Sequence, residues 1–158
     1  MMVEDKLQRA IKHLSIADVY LIASQARHSE HFNPKAAHAL EGLKVQTMHV
    51  ARRSEILETE SADQFILRIV LGFGVRWIKE SAAEEAEPEI KAFVEADYVA
   101  EYLMNEQLDQ DSIDTFALQN ASYHVWPYWR EYLMSQSERL RMPRLILPTR
   151  QFPDKRDQ

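Results

Sequence analysis

The sequence predicts an α+β fold in which four β-strands precede one long helix. Two observations support this prediction. Apolar residues alternate with a period of two in several segments before Leu108, and after it they recur at spacings of three and four. A period of two builds one apolar face on a strand, and the longer spacing does so on a helix. The 158 residues are therefore expected to form one domain with an N-terminal segment (1–13), four strands (14–108), a long helix (109–142) and an extended basic tail (143–158).

The third and fourth strands have the clearest apolar pattern. All odd positions of residues 65–77 are apolar, and so are all even positions of residues 90–102. The alternation predicts two long strands, each with one continuous apolar face. Gly72 and Gly74 lie inside the third strand, and because no helix follows them they predict a twist or kink rather than a nucleotide-binding loop.

The first and second strands are predicted from weaker patterns. Residues 14–24 are rich in Ile, Val, Leu and Tyr, which favours a strand. In the second strand Leu43, Val45 and Thr47 alternate before the apolar face switches at Met48. Such a switch of face predicts a β-bulge at that point.

The long helix is predicted to begin after the N-cap candidates Asp109 and Asp111. Its apolar residues cover a wide arc, which is typical of a helix that is buried on two sides. One side is expected to pack on the sheet of its own subunit and the other to meet a second subunit, with Val125, Trp129 and Leu133 as candidate interface residues. The predicted stripe comprises Ile113, Phe116, Ala117, Ala121, Val125, Tyr128 and Tyr132, broadened by Leu118, Trp129 and Leu133.

A proline, Pro127, lies inside this predicted helix. Proline removes a backbone donor, and its ring presses against the carbonyl four residues earlier, at a cost of roughly 3 kcal/mol. Here that carbonyl belongs to Tyr123. The helix is therefore expected to tolerate or use a bend.

Composition and charge restrict the classes of function. The net charge is −6, but the chain from Arg139 onward carries six basic and two acidic residues, so this part is net +4 and the remainder is net −10. An acidic body does not suit nucleic-acid binding. No apolar run approaches the roughly 20 residues that cross a bilayer, so membrane insertion is not expected. The absence of cysteine fits a cytoplasmic protein.

Patterns for catalysis and metal binding are weak. His28, His31 and His38 could be grouped as ligands, but without cysteine or closely spaced carboxylate pairs they are better interpreted as surface histidines. His124 has no partner implied by spacing, which favours a core or interface histidine over a general base. We expect no catalytic residue, no metal and no cofactor. The excess of apolar and aromatic residues instead indicates an interaction surface.

Two motifs in order carry a resemblance to a known family. The sequence WPYWRE (residues 126–131) is followed after ten residues by MPRLILP (residues 142–148) and then by Phe152. This arrangement is similar to the SecB family of chaperones, in which a long helix carries a Phe-Pro-Tyr-Ala-Arg-Glu sequence and a similar proline-rich segment follows at the same spacing. Residues 66–71 resemble the third strand of that family, and residues 43–45 resemble part of its second strand.

The resemblance implies an ATP-independent holdase and no enzyme activity. Its fold would be a four-stranded antiparallel sheet followed by one long helix packing on it, and its subunits would form a homotetramer, a dimer of dimers, through their helices. Non-native polypeptide would bind in hydrophobic grooves. The candidate client-binding residues are Leu43, Val45, Trp126, Tyr128 and Trp129.

The chain also departs from the family pattern. Leu140 stands where the family has a glycine near the end of the helix, and residues 99–102 replace a Gly-Gly pair after the fourth strand. After Phe152 the family continues into a second helix that covers the groove, whereas residues 153–158 are the last here, so this lid helix is expected to be absent. Acidic residues that contact the translocase motor SecA in the family are matched only by Asp18, which leaves SecA an open partner.

Three functions remain open from the sequence. The preferred hypothesis is a dedicated chaperone that protects the aggregation-prone antitoxin of a toxin-antitoxin system. The second is a general export chaperone that delivers secretory precursors to the Sec translocase. The third, from another class, is a small-molecule-binding or enzymatic α+β domain with only a superficial likeness to SecB.

Overall fold

A computed structural model describes residues 3–80, 86–145 and 147. Most of the predicted basic tail (143–158) lies outside these residues, as does the segment 153–158 on which the expected absence of a lid helix depends. The helix α1 (Val3–His13) comes first. The strands β1 (Leu14–His28), β2 (Lys44–Glu58), β3 (Phe65–Lys79) and β4 (Glu89–Met104) follow it, and then the helix α2 (Gln110–Phe116), a π-helical segment (Ala117–Ala121) and the helix α3 (Ser122–Arg139).

The four strands form one antiparallel sheet in the order β1-β4-β3-β2. The predicted fold class, a four-stranded antiparallel sheet followed by a long helix, is therefore confirmed. Because β3 and β4 pair with each other and lie in the centre, β1 and β2 are the two edge strands of the sheet. One face of β3 and β4 packs on the helices, which explains why these two strands have the clearest alternation.

The core lies between the helical layer and one face of β3 and β4. Asp109 caps α2 as expected, since its side chain accepts a hydrogen bond from the backbone N–H of Ser112. The odd positions of β3 and the even positions of β4 face the helices, as the alternation predicts. Those that are fully or almost fully buried are Leu67, Ile69, Leu71, Phe73, Val75, Trp77, Ala92, Val94, Ala96, Tyr98, Ala100, Tyr102 and Met104.

The stripe that the long helix buries differs from the predicted one after Val125. It runs on through Trp129 and Leu133, which are 2% and 0% exposed, whereas Tyr128 is 48% exposed. The buried positions of α3 follow a stride of four, and Trp129 stacks on Phe73 with ring centroids 5.6 Å apart. The prediction that Tyr128 continues the stripe was wrong because this stack fixes the rotation of the helix, whereas Tyr132 is partly buried against the core.

A π-helical segment (Ala117–Ala121) explains part of this change in phase. Its wider turn shifts all later residues around the helix axis. The hydroxyl of Ser122 donates to the carbonyl of Ala117 at 3.1 Å, which satisfies an acceptor that the irregular turn leaves. Pro127 lies in α3, downstream of this segment, so the interruption of the regular helix precedes the proline.

The long helix crosses the sheet diagonally. Near its start, Gln110 Nε2 donates to Ser54 Oγ of β2 at 3.2 Å, and Ser122 Oγ lies 2.6 Å from His49 Nε2 of the same strand. Near its end, the carbonyl of Leu140 lies 2.7 Å from Nε2 of His28, the last residue of β1. The helix thus begins over one edge strand and ends beside the other, which leaves the first residues of β2 without a helix above them.

The N-terminal segment forms a helix, α1, that packs on the start of the long helix. Ala10 is fully buried there, and Lys6 forms a 2.9 Å ion pair with Asp111. Arg9 Nη2 lies 3.4 Å from a carboxylate oxygen of Glu106. The segment therefore joins the helical layer.

The bulge in β2 lies between Ala51 and Arg53, not at the predicted position. Met48 keeps the regular alternation and packs on the reverse face of the sheet, over Gly74. If a Cβ were added to this glycine, it would lie 3.2 Å from Cε of Met48. A Cβ at Gly72 would lie 2.5 Å from Nε of Arg52. The two glycines thus provide space for β2 side chains, which is a physical reason for them other than the predicted kink.

None of the helices in the described ranges combines the length and the apolarity that crossing a lipid bilayer requires.

His124 connects the long helix to β4. Its Nδ1 lies 2.9 Å from the hydroxyl of Tyr102. Burial raises the pKa of Tyr102, so its hydroxyl stays protonated beside the imidazole. Burial also lowers the pKa of His124, because the charged imidazolium loses hydration in the core.

We predict that acidification weakens the fold through His124. Above the ordinary histidine pKa of 6.5 the ring is neutral in both states, and its contribution to stability is complete. As the pH falls below that value, the unfolded chain binds a proton that the folded chain does not, so the free energy of unfolding decreases. Urea unfolding of the wild-type chain and of His124→Gln between pH 5 and 8 measures this, with a shallower pH slope expected for the variant. Parallel curves would contradict the assignment.

Candidate polypeptide-binding groove

An open cavity of about 420 Å³ lies between the edge strand β2 and the helix α3. Its walls are mostly apolar and aromatic. The residues that line it are Thr47, Met48, His49, Gly74, Val75, Trp126, Trp129 and Leu147. We call this cavity, together with the adjoining outer edge of β2, the groove.

The strand side of the groove results from the register of the sheet. Thr47 pairs with Val75 and His49 pairs with Phe73, so the side chains of both β2 residues project on the same face as the core of β3. Val45 continues this row one pair further and is 39% exposed. Apolar surface on the helix side of β2 therefore stays open to solvent where the diagonal helix has moved away.

The helix side of the groove is aromatic. Trp126 is half-buried, and its ring centroid lies 6.1 Å from that of Phe73. Trp129 forms the floor through its stack on the same ring. Leu147, from the chain that follows α3, packs against the core and lines the groove opposite β2.

The outer edge of β2 supplies backbone groups to the same place. The strand pairs with β3 on one side, and no other described strand pairs with it on the outer side. An edge strand presents unpaired N–H and C=O groups that can bond to another extended chain. The groove thus combines an apolar wall with a row of backbone donors and acceptors.

The structure brings some of the predicted client-binding residues together. Trp126 and Trp129 line the groove, and Val45 lies on the same face of β2. Leu43 precedes β2 and is half-buried against the core. Tyr128 is not among the residues that line the groove; its side chain is half-exposed, and its carbonyl accepts a hydrogen bond from Tyr98 Oη at 3.2 Å.

Six of the residues that line the groove were outside the predicted set, and Thr47, His49 and Leu147 are three of them. Thr47 belongs to the alternation that identified Val45, so its position in the strand was a usable signal. His49 and Leu147 carry no signal of their own, because the first depends on the register with β3 and the second on the return of the chain after α3.

The three candidate interface residues are buried inside their own subunit. Val125, Trp129 and Leu133 are 0%, 2% and 0% exposed. Residues without exposed surface contribute to an interface only by holding their neighbours in place. Among the described residues of the long helix, those with large exposed apolar surface are Leu118, at 55%, and Tyr128. A direct role for the first three at an interface stays a prediction.

One histidine–serine pair in the structure has the spacing of a catalytic dyad. His49 Nε2 lies 2.6 Å from Ser122 Oγ, but Ser122 is 0% exposed and its hydroxyl donates to the Ala117 carbonyl. Since that hydroxyl has a single proton, the imidazole is the donor in the pair. The arrangement ties the edge strand to the helix and gives no substrate access to the hydroxyl.

The three histidines that were considered as metal ligands make separate contacts. His28 contacts the carbonyl of Leu140, and His31 and His38 are exposed beside Glu30 and Glu41. Within residues 3–80, 86–145 and 147, no group of three or more His, Cys, Asp or Glu side chains has an arrangement that could hold a metal ion.

Comparison with known proteins shows what the fold is similar to. No protein-family model and no curated protein sequence matches the chain. A solved structure of the Mycobacterium tuberculosis SecB-like chaperone Rv1957, in complex with a ChAD peptide from the HigA1 antitoxin Rv1956, matches with a TM-score of 0.66 and 18% identity over 95% of this chain and 99% of that chain. A Streptococcus agalactiae protein of unknown function matches with a TM-score of 0.39 and 9% identity over 85% and 96% of the two chains, which is too distant for an argument. The chain therefore has the fold of a SecB-like chaperone, as the sequence motifs predicted.

Proposed function

We propose that this chain is an ATP-independent holdase, a SecB-like chaperone that binds non-native polypeptide in the groove. The observation that carries the proposal is the combination of an open strand edge with an aromatic wall. Backbone bonds to an edge strand do not depend on the client sequence, and apolar pockets select its large side chains. A surface of this kind suits an unfolded chain better than a compact ligand.

The energetics of such a site favour reversible binding. A client segment that buries about 800 Å² of apolar surface gains roughly 20 kcal/mol at about 25 cal/mol per Å². Ordering and immobilising a flexible segment offsets most of this gain. The remaining affinity is expected in the micromolar to nanomolar range and to depend on a few large client residues.

The preferred client is an aggregation-prone antitoxin of a toxin-antitoxin system. This choice is supported by the fold shared with a SecB-like chaperone that was solved with an antitoxin peptide. General export of secretory precursors, with SecA as a partner, uses the same groove and is the alternative. Both functions place the protein in the cytoplasm.

A homotetramer, built as a dimer of dimers, is the proposed assembly. The second edge strand, β1, supports it, because Ile16, Leu21 and Ile22 are 50%, 42% and 42% exposed on a strand that pairs with β4 on one side and with no other described strand on its outer side. A long apolar edge is unstable in water unless another strand or subunit covers it. Leu118 and Tyr128 on the helices are a second apolar surface for the pairing of dimers.

We predict that a negative charge on the groove face of β2 abolishes holdase activity. Val45→Asp and Thr47→Asp should each weaken the binding of an aggregating client at least about tenfold, since an unpaired charge in an apolar contact costs a few kcal/mol. Light scattering of a client during thermal aggregation measures the protection. Gln46→Asp is the matched control, because Gln46 lies on the same strand but faces the other side of the sheet, where Arg76 Nε donates to it at 2.5 Å.

Equal loss of protection in Gln46→Asp and Thr47→Asp would show that the groove face has no special role. Client capture from the native host with the wild-type chain and with Thr47→Asp then separates the client classes. One small DNA-binding antitoxin that depends on Thr47 is expected. Many secretory precursors together with SecA would identify a general export chaperone instead.

We predict a solution mass of about four times the 18.5 kDa chain, measured by multi-angle light scattering. Leu21→Asp on β1 should reduce the mass to that of a smaller species. Leu57→Asp on β2 is a control of equal exposure, at 41% against 42%, and should leave the mass unchanged. A wild-type monomer at micromolar concentration would contradict the assembly.

A further inference from the structure

A second cavity, of about 600 Å³, lies beside the groove at the end of α3. It is formed between the last turns of the helix, the chain that follows them and the loop that holds Lys35. Its lining includes Met134, Glu138 and Met142, and the cations Lys35, Arg141 and Arg144. We call it the basic cavity.

The chain that follows α3 borders both the groove and the basic cavity. Arg144 lines the basic cavity and Leu147 lines the groove, and only two residues separate them. On the helix, Met134 and Glu138 lie eight and twelve residues after Trp126, which places them about 80° and 120° further around α3. A bound polypeptide that follows the chain after α3 would pass from one cavity to the other.

The charge of the basic cavity is unusual for this protein. Three cations surround it against the single carboxylate of Glu138, on a chain whose net charge is −6. Many other basic residues are paired, such as Lys6, Arg52 and Arg68. Among the residues that the structure describes, no acidic side chain forms an ion pair with Lys35, Arg141 or Arg144.

Capping of the helix accounts for only one of the three cations. Arg141 Nη1 donates to the carbonyl of Glu138 at 3.0 Å, which is a usual role for a basic residue at a helix C-terminus. Lys35 comes from the loop between β1 and β2, and Arg144 lies beyond the end of the helix. Their clustering leaves a positive field that an anionic ligand would relieve.

Resting on the proposed function, we infer that the basic cavity binds acidic side chains of the client next to its apolar anchor. Residues 148–158 of this chain carry three basic and two acidic side chains, so they are a poor electrostatic match for the cavity. The client is then a segment with large apolar residues for the groove and Asp or Glu residues for the basic cavity.

The geometry sets the spacing between the two client features. Met134 lies eight residues and Glu138 lies twelve residues from Trp126, which is about 12 to 18 Å along the helix. An extended polypeptide advances about 3.3 Å per residue. The acidic residues are therefore expected about four to six positions from the apolar anchor.

The test uses three synthetic peptides with the same anchor of alternating Trp and Leu. Five polar residues separate the anchor from a terminal pair of Glu, Gln or Lys, and each peptide is made in both chain directions. In fluorescence titrations at low salt, the Glu peptide should bind about threefold to tenfold more tightly than the Gln peptide, and the Lys peptide more weakly. High salt should remove the differences, since these charges are exposed.

Charge-neutralising variants assign the effect to the cavity. Lys35→Gln and Arg144→Gln should reduce the preference for the Glu peptide and leave the affinity for the Gln peptide unchanged. Lys12→Gln on α1 changes the net charge equally, outside the cavity, and should have no effect. Equal affinities of the wild-type chain for the three peptides would overturn the inference while leaving the holdase proposal intact, and no binding of any peptide would overturn both.

Discussion

Trp129 of the long helix stacks on Phe73 of β3, and the position of the groove depends on this contact. Both rings are buried, so the rotation of α3 about its axis is fixed at the centre of the sheet. An aromatic pair of this kind contributes about 0.5 to 1.5 kcal/mol beyond the burial of its surface. With the helix held at its middle, the contacts at its two ends determine which edge strand stays covered.

The contacts at the two ends of the long helix determine its diagonal direction across the sheet. Hydrogen bonds to Ser54 and His49 hold the first half of the helix over β2, and the Leu140 carbonyl beside His28 brings its end to β1. The uncovered region is the start of β2, where the helix side of the strand is open. A site for extended polypeptide therefore arises from the angle of one helix and needs no special loop. The chain after α3 also lies beside this helix, because Arg144 lines the basic cavity and Leu147 lines the groove.

Much of this fold could be predicted from the sequence, because one face of each central strand packs on the helices. The alternation of β3 and β4 identifies their core faces, and the order and spacing of the WPYWRE and MPRLILP motifs resemble those of the SecB family. The helix stripe after Val125 could not be predicted, since stripes through Tyr128 and through Trp129 both fit a regular helix, and the π-helical segment and the Phe73 stack select the second. The helix α1 did have a signal, in the spacing of Val3, Leu7 and Ala10.

The site was less predictable than the fold. Trp126 and Trp129 were identified from their motif, but the groove also needs residues that only tertiary structure brings to them, such as His49 and Leu147. The charge of the basic cavity is likewise invisible in the sequence, where its three cations are distributed over more than a hundred positions. Local patterns predict which residues are buried, whereas register and helix angle decide which apolar residues stay open.

Hydrogen exchange of the protein with and without a bound unfolded client tests the central claim most directly. If the client adds to the open edge, backbone amides of β2 between Val45 and Ala51 should exchange more slowly in the complex, together with those around Leu147. Amides of β1 should not change. Protection confined to β1, or to no strand, would contradict the assignment of the groove between β2 and α3 as the polypeptide-binding site.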